Sequence, residues 1–292
     1  MPEPRSSKGA QFQEGRSGVQ VARGADSTHA PQVVESSANS PLVQDPCYSI
    51  EGVTINLPTL RAAHAEAVSR ALSGVGFALF TLNLDHLAKI RSNPTFRAAY
   101  GRAALVTADG WPVVWLANRR GAKLERTCGA DLVEPICKSA ATNRIPIVFI
   151  GPERSSQISA ISTLQERYPG LEVASAYSPN ISSVPKPDEV EAVARRVNAS
   201  GARLCFVCMG APKQELLVDA LVPLCEGVGF LCVGAALDFI SGRWRRAPAS
   251  WQRSGLEWLW RLLGDPKRLA SRYLLSAYVF FLLALGPGTE TS

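Results

Sequence analysis

Six short apolar runs, rich in β-branched residues and closing at or near Gly, Asn or Asp, set the frame of this chain: Gly76 to Asn83, Ala104 to Thr107, Ile145 to Ile150, Leu171 to Tyr177, Arg203 to Met209 and Gly229 to Val233. Helix-like stretches separate them. The clearest runs from Glu153 to Tyr168, where Ile158, Ile161 and Leu164 recur at helical spacing and Pro169-Gly170 closes the segment. Strands alternating with helices across short connections predict an α/β fold whose sheet is doubly wound, mostly parallel and covered on both faces. In such sheets ligands sit outside the carboxyl ends of the strands. The segments to search for chemistry are therefore Thr81 to Asn83, Asp109-Gly110, Gly151-Pro152 and Gly210 to Glu215. No G-x-G-x-x-G follows a strand, and Gly74-x-Gly76 precedes its strand, which argues against a standard nicotinamide or flavin enzyme.

Residues 1–45 are rich in Ser, Gly, Pro, Gln and charge without an apolar period, and are expected to form a disordered tail. With no apolar stretch after Met1, that tail reads as neither a signal peptide nor an anchor. Residues 46–242 are expected to form the α/β domain, Rossmann-like in winding, and 243–292 a basic and apolar appendage. From Arg243 to Arg272 there are eight Lys and Arg against Glu257 and Asp265, a local excess of 8 − 2 = 6 that equals the whole formal charge of +6. The rest of the chain is neutral, so the basic element points to a local anionic partner, phosphate groups or an anionic bilayer, and nothing suggests nucleic acid.

Most of the seven cysteines fall in apolar runs and read as reduced, buried thiols. Cys205 and Cys208 spell C-x-x-C, but a strand sends residues three apart to opposite faces. Leu256, Leu259, Trp260 and Leu263 make an apolar helical stripe. Asp265-Pro266 then starts a second helix, basic at Lys267, Arg268 and Arg272 and uncharged from Tyr273 to Leu285. That run is short of the roughly 20 apolar residues a bilayer span needs, so the helix is expected to lie in the interface or on its own domain.

Six motifs in order carry a resemblance: Thr81-Leu-Asn83; Ala108-Asp109-Gly110; Glu125-Arg126-Thr-Cys-Gly129-Ala-Asp131-Leu132; Gly210-Ala-Pro212-Lys213-Gln214-Glu215; Val233-Gly234 through Asp238 and Gly242 to Arg246-Ala247-Pro248; and Gly255-Leu256-Glu257-Trp258 through Arg261 to Arg268 and Arg272-Tyr273. This series resembles the WecG/TagA/CpsF glycosyltransferases, glycosyltransferase family 26, over about residues 50 to 273. One departure is Ala176-Tyr177-Ser178, where that family usually has Gly-Tyr-Phe. The resemblance implies transfer from a UDP-sugar to a polyprenyl-diphosphate-linked saccharide at the cytoplasmic face of the inner membrane, by a peripheral enzyme able to self-associate. The implied donors are UDP-N-acetylmannosamine, its uronic acid or UDP-glucose, feeding a surface polysaccharide or exopolysaccharide route.

Inverting transfer needs a base for the acceptor hydroxyl. Asp109, beside Gly110 at a strand end, fits that role, which the resemblance also implies; the alternative is a helix cap. The departing diphosphate must be met by a metal or by fixed cations. No D-x-D pair is present, and neither a metal nor a cofactor is expected. Arg261, Arg268 and Arg272, spaced by seven and four, would share a face on a continuous helix; the resemblance folds them over the site, and the alternative is a basic stripe facing solvent or lipid. Thr81 and Asn83 are candidates to bind sugar or ribose, or to cap a turn. Arg126 lines the site by resemblance, or makes a surface ion pair. Gln214 is a candidate reader of the nucleotide, or part of a helix start. Asp238 reads as structural, in need of Arg243 or Arg246, and His86 as a helix surface residue. A membrane-associated nucleotide-binding scaffold without catalysis is the competing function.

Overall fold

The computed structural model describes residues 48–286, apart from the side chains of Ala249, Arg253 and Arg268. The tail expected at residues 1–45 lies outside the described residues. The first element is a hairpin of β1 (Tyr48–Ile50) and β2 (Val53–Ile55). Its turn residues Glu51 and Gly52 take φ of 54° and 76°, the left-handed pair that a two-residue connection between twisted strands requires. Three-residue strands leave little period to read, and the hairpin was not among the predicted runs.

The chain continues through α1 (Leu60–Ser73), β3 (Phe77–Leu82), α2 (Leu84–Ser92), α3 (Pro94–Arg102), β4 (Leu105–Ala108) and α4 (Trp111–Asn118). It then forms α5 (Gly129–Asn143), β5 (Ile147–Ile150), α6 (Arg154–Arg167), β6 (Val173–Tyr177), α7 (Pro187–Ala199), β7 (Leu204–Val207), α8 (Lys213–Leu221) and β8 (Gly229–Cys232). Four helices close it: α9 (Ala236–Ile240), α10 (Ala249–Arg253), α11 (Glu257–Gly264) and α12 (Pro266–Leu285).

Each of the six predicted runs is a strand. Together β3 to β8 make one parallel sheet in the order β4-β3-β8-β7-β5-β6. Side-chain alternation along the strands divides the interior into two cores, as in a doubly wound, Rossmann-like fold. Phe77, Leu79, Phe149, Phe206 and Leu231 face one layer, with residues of α1, α5 and α6. Ala78, Phe80, Leu82, Val148, Val207 and Phe230 face the other, with residues of α2, α3, α7, α8 and α12. Cys205 and Cys208 fall in opposite cores, as strand geometry dictates, and the six described cysteines are free and buried. Within the first core Phe149 and Phe206 stack at 5.3 Å.

One helix faces the sheet differently from its apolar spacing. In α6 Ile158 is 60% exposed, while Gln157, Ala160 and Leu164 are buried. The Gln157 amide donates to the carbonyls of Gly151 and Tyr177, both at 3.1 Å, and this polar anchor sets which way the helix turns.

The C-terminal helices part where Asp265-Pro266 predicts: Asp265, with φ −148°, breaks α11 from α12, so Arg261 and Arg272 lie on separate helices. Leu269, Ser276, Val279 and Leu283 bury one face of α12. That face packs near α2 and α4, with Phe280 against Trp115 at 5.5 Å. Arg120 Nη2 donates to the Leu283 carbonyl at 2.6 Å, meeting one of the acceptors a helix end leaves open. The opposite face, including Leu274, Tyr278, Phe281 and Leu285, is exposed. Among the described residues no helix is long and apolar enough to cross a membrane.

Candidate active site

Register places the first two functional side chains. Leu82 of β3 pairs with Ala108 of β4, so Asn83 and Asp109 emerge side by side at the carboxyl edge, and the Asp109 N–H donates to the Leu82 carbonyl at 2.7 Å. Asn83 caps α2, its side-chain oxygen accepting from the His86 N–H at 3.0 Å. The same side chain hydrogen-bonds the Asp109 carboxyl. The capping alternative is thus real for Asn83 and coexists with a place in the site.

Asp109 itself caps nothing. The N-cap of α4 is Gly110, at φ 91°, with no side-chain cap hydrogen bond, and the Asp109 carboxyl is left facing the site. Burial pushes that carboxyl up from 3.8 to about 6; Glu257 pushes the same way, while Arg261, Arg126 and the Asn83 hydrogen bond oppose. A carboxylate with its proton affinity near neutrality is matched to taking a proton from a hydroxyl.

Beside Asp109 lies a charged cluster assembled from three distant segments. Arg126, from the segment before α5, pairs with Asp131 at 3.0 Å and reaches Glu257 at 3.5 Å. Arg246, from the segment between α9 and α10, pairs with Asp131 at 2.6 Å. Arg261 pairs with Glu257 one turn earlier in α11, at 2.8 Å, and its guanidinium lies 5.4 Å from the Phe239 ring. The Cys128 thiol donates to Asp131 at 2.9 Å and accepts from Arg246 at 3.2 Å. Burial, reinforced by Asp109 and Asp131, pushes that thiol up to about 12, so it stays protonated and acts as a donor. Although burial alone would raise Asp131, hydrogen bonds from Arg246 and Cys128 and the nearby guanidinium charges hold it below the usual carboxylate range. At the head of α5, Gly129 makes this packing possible: a Cβ there would stand 2.7 Å from Val233 Cα, at the end of β8.

Arg272 is paired with Asp85, two residues after Asn83, and Asp85 also pairs with Lys89. These contacts tie α12 to α2. His86 is buried, not on the helix surface as its position suggested. Its Nδ1 lies 2.6 Å from the Tyr100 hydroxyl. Burial drives its imidazole down to about 3 against the pull of Asp85, so it is neutral.

Thr81, 5% exposed, is the penultimate residue of β3, two positions before Asn83. Gln214 is turned to the protein: its side-chain oxygen accepts from the N–H groups of Met209, Gly210 and Gly234 at 3.2 to 3.3 Å, and its nitrogen donates to Glu215 at 2.8 Å. It clamps the ends of β7 and β8 together instead of presenting its amide to a ligand. The buried Glu215 carboxyl is pushed up to about 7 by burial, opposed by Gln214, and its Oε2 has no hydrogen-bond partner among the described residues. The side chain of Arg268 lies outside the described residues. Asp238 finds Arg243 at 3.9 Å, whereas Arg246, its other expected partner, goes to Asp131.

Sequence reasoning missed Glu257, Cys128 and the use of Asp131 and Arg246. The local signals are the short steps from Glu257 to Arg261 and from Arg126 and Cys128 to Asp131, whereas the contacts of Arg246 with Cys128 and Asp131 and of Arg126 with Glu257 join residues more than a hundred positions apart.

Fold and site together define a doubly wound α/β protein with a carboxylate at the strand edge and guanidinium groups beside it, Arg126 from the segment before α5 and Arg261 from α11. The glycosyl transferase WecG/TagA/CpsF family matches residues 48–291, and the chain belongs to that family of glycosyltransferases.

Proposed function

We propose that this protein is an inverting, metal-independent transferase that moves a sugar from a UDP-sugar to a polyprenyl-diphosphate-linked acceptor in bacterial surface or exopolysaccharide assembly. One observation carries the reading: the raised Asp109 carboxyl shares its site with Arg126 and Arg261. Asp109 accepts the proton of the acceptor hydroxyl as the new glycosidic bond forms and the bond to the UDP oxygen breaks on the opposite face. Asn83 orients the carboxyl, and Thr81, two residues earlier in the chain, is a candidate sugar or ribose contact.

Fixed guanidinium groups meet the charge that builds on the departing diphosphate, which is the task a divalent metal performs elsewhere. Arg126 and Arg261 stand beside Asp109, while Arg272, held by Asp85, and Arg268, one helical turn earlier in α12, are candidates for the approach of the acceptor diphosphate. The exposed apolar face of α12, with Trp258 and Leu263 exposed on α11, suits a peripheral position on an anionic bilayer, at the cytoplasmic face of the inner membrane.

A thermal-shift screen against UDP, GDP, CDP, NAD and S-adenosylmethionine, with magnesium or EDTA, tests the nucleotide. A selective UDP shift that survives EDTA is expected; a shift with NAD or S-adenosylmethionine instead overturns the proposal. Deleting residues 266–292 should release the protein from anionic liposomes, and undiminished binding would sink the membrane placement.

A further inference from the structure

Three guanidinium groups converge on one carboxylate, Glu257, and they bring more N–H donors than it can satisfy. Among the described residues only Arg261 makes a full hydrogen bond to it, at 2.8 Å. Arg126 Nη1 stands at 3.5 Å and Arg246 Nε at 3.8 Å. Among the described residues the buried Arg246 Nε has no hydrogen-bond acceptor. Unmet buried donors of this kind are rare in folded proteins and mark a place where a partner is expected. Asp131 does not fill the gap, since it already takes Arg126 Nη2 at 3.0 Å and Arg246 Nη1 at 2.6 Å. An anion with more oxygens than a carboxylate, such as a diphosphate, matches the surplus.

We propose that Glu257 is a positioning residue that stands in for the donor diphosphate until the donor binds, gathering Arg126, Arg246 and Arg261 from three separate segments and then surrendering part of that cluster. The inference rests on the sugar-transfer reading above and assigns within it a residue that the reading does not use. Glu257 is 16% exposed and leads α11, so its pair with Arg261, one turn later, also fixes how the C-terminal helices meet the sheet domain.

Two consequences separate this role from a merely structural one. Without the competing carboxylate the arginines hold a diphosphate more firmly in the ground state, while Arg261 loses the tether that fixes it beside Asp109 and the product leaves more slowly. Affinity and turnover therefore move in opposite directions, whereas simple loosening would weaken both. Glu257 also bears on Asp109, which is faced by Arg261 and Glu257 from α11, by Arg126 and Cys128 from the segment before α5, and by Asn83 from the start of α2. Removing the Glu257 charge while the arginines remain makes the Asp109 carboxylate easier to form.

Calorimetric titration of UDP into the full-length protein and its E257Q and E257D variants tests the proposal. E257Q is expected to bind UDP about tenfold more tightly, the like-charge opposition being gone. E257D, which keeps the charge but draws it back from the arginines, should fall between. With whichever UDP-sugar is turned over, kcat of E257Q should fall, and the acid limb of its kcat/KM profile should move to lower pH by about half a unit. Equal or weaker UDP binding by E257Q, or an unmoved acid limb, overturns the role of Glu257 while leaving the sugar-transfer reading intact. If E257Q does not fold, E257D decides alone, and no gain in UDP affinity there overturns the proposal. A wild-type protein that does not bind UDP defeats the sugar-transfer reading, and this inference with it.

Discussion

Replacing Asp109 by Asn should stabilise the protein while removing its activity. Burial holds the Asp109 carboxyl at about 6 against an ordinary 3.8, so the folded chain binds this proton more tightly than the unfolded chain does. Below 3.8 both states are protonated and the residue costs nothing. As pH rises through about 6 the folded state must carry a desolvated charge, and stability declines relative to a neutral side chain there. A difference of about two pKa units at about 1.36 kcal/mol each sets an upper limit near 3 kcal/mol. Because Asp109 is partly accessible, we expect ~1–3 kcal/mol at pH 8 after discounting for solvent screening. At about 2 °C per kcal/mol for a chain of this size, D109N should melt about 2–6 °C higher than wild type at pH 8. The gap should close as pH falls below 5. Differential scanning calorimetry across pH 4 to 8 measures it, with turnover followed in parallel and expected to fall roughly a hundredfold or more. An equal or lower melting temperature at pH 8, or a gain independent of pH, would refute the view that Asp109 is a strained, desolvated carboxylate kept for chemistry.

Other consequences follow from individual contacts. His86, held near about 3 against an ordinary 6.5, supplies stability above 6.5 that drains away as pH falls, so H86Q should flatten the decline of the guanidinium unfolding midpoint between pH 6.5 and 4. G129A drives a Cβ to within 2.7 Å of Val233 Cα and should cost ~1–3 kcal/mol in urea unfolding, because the neighbour is backbone and cannot rotate away. R272A breaks the pair with Asp85 that ties α12 to α2; Arg272 is 41% exposed, so the global cost should be under about 1 kcal/mol, yet amide exchange in α12 should rise selectively.

How far the chain could be read in advance depended on whether a feature is local. All six strands of the sheet announced themselves, since five are buried along their whole length and therefore largely apolar, the half-buried edge strand β6 still carries Val173, Ala174, Ala176 and Tyr177, and the intervening helices impose their own spacing. The three-residue strands of the hairpin were too short to show a period. Apolar spacing misled in α6, where the buried Gln157 and not the exposed Ile158 sets the orientation. His86 likewise looked like a surface residue because polarity alone cannot reveal the Tyr100 hydroxyl that satisfies it inside.

The sequence by itself determined the doubly wound sheet, the strand-end positions of Thr81, Asn83 and Asp109, the basic C-terminal element and, through six ordered motifs, the family. Those properties are written in runs of neighbouring residues, where pleat, helical period and turn chemistry operate. Tertiary structure alone decided that Asn83 touches Asp109, that Gln214 clamps backbone, that α12 buries one apolar face and exposes the other, and that Glu257 collects three arginines. Such contacts join groups far apart in the chain. Their energies depend on distance and dielectric at the place where they meet, and neither quantity exists until the chain has folded.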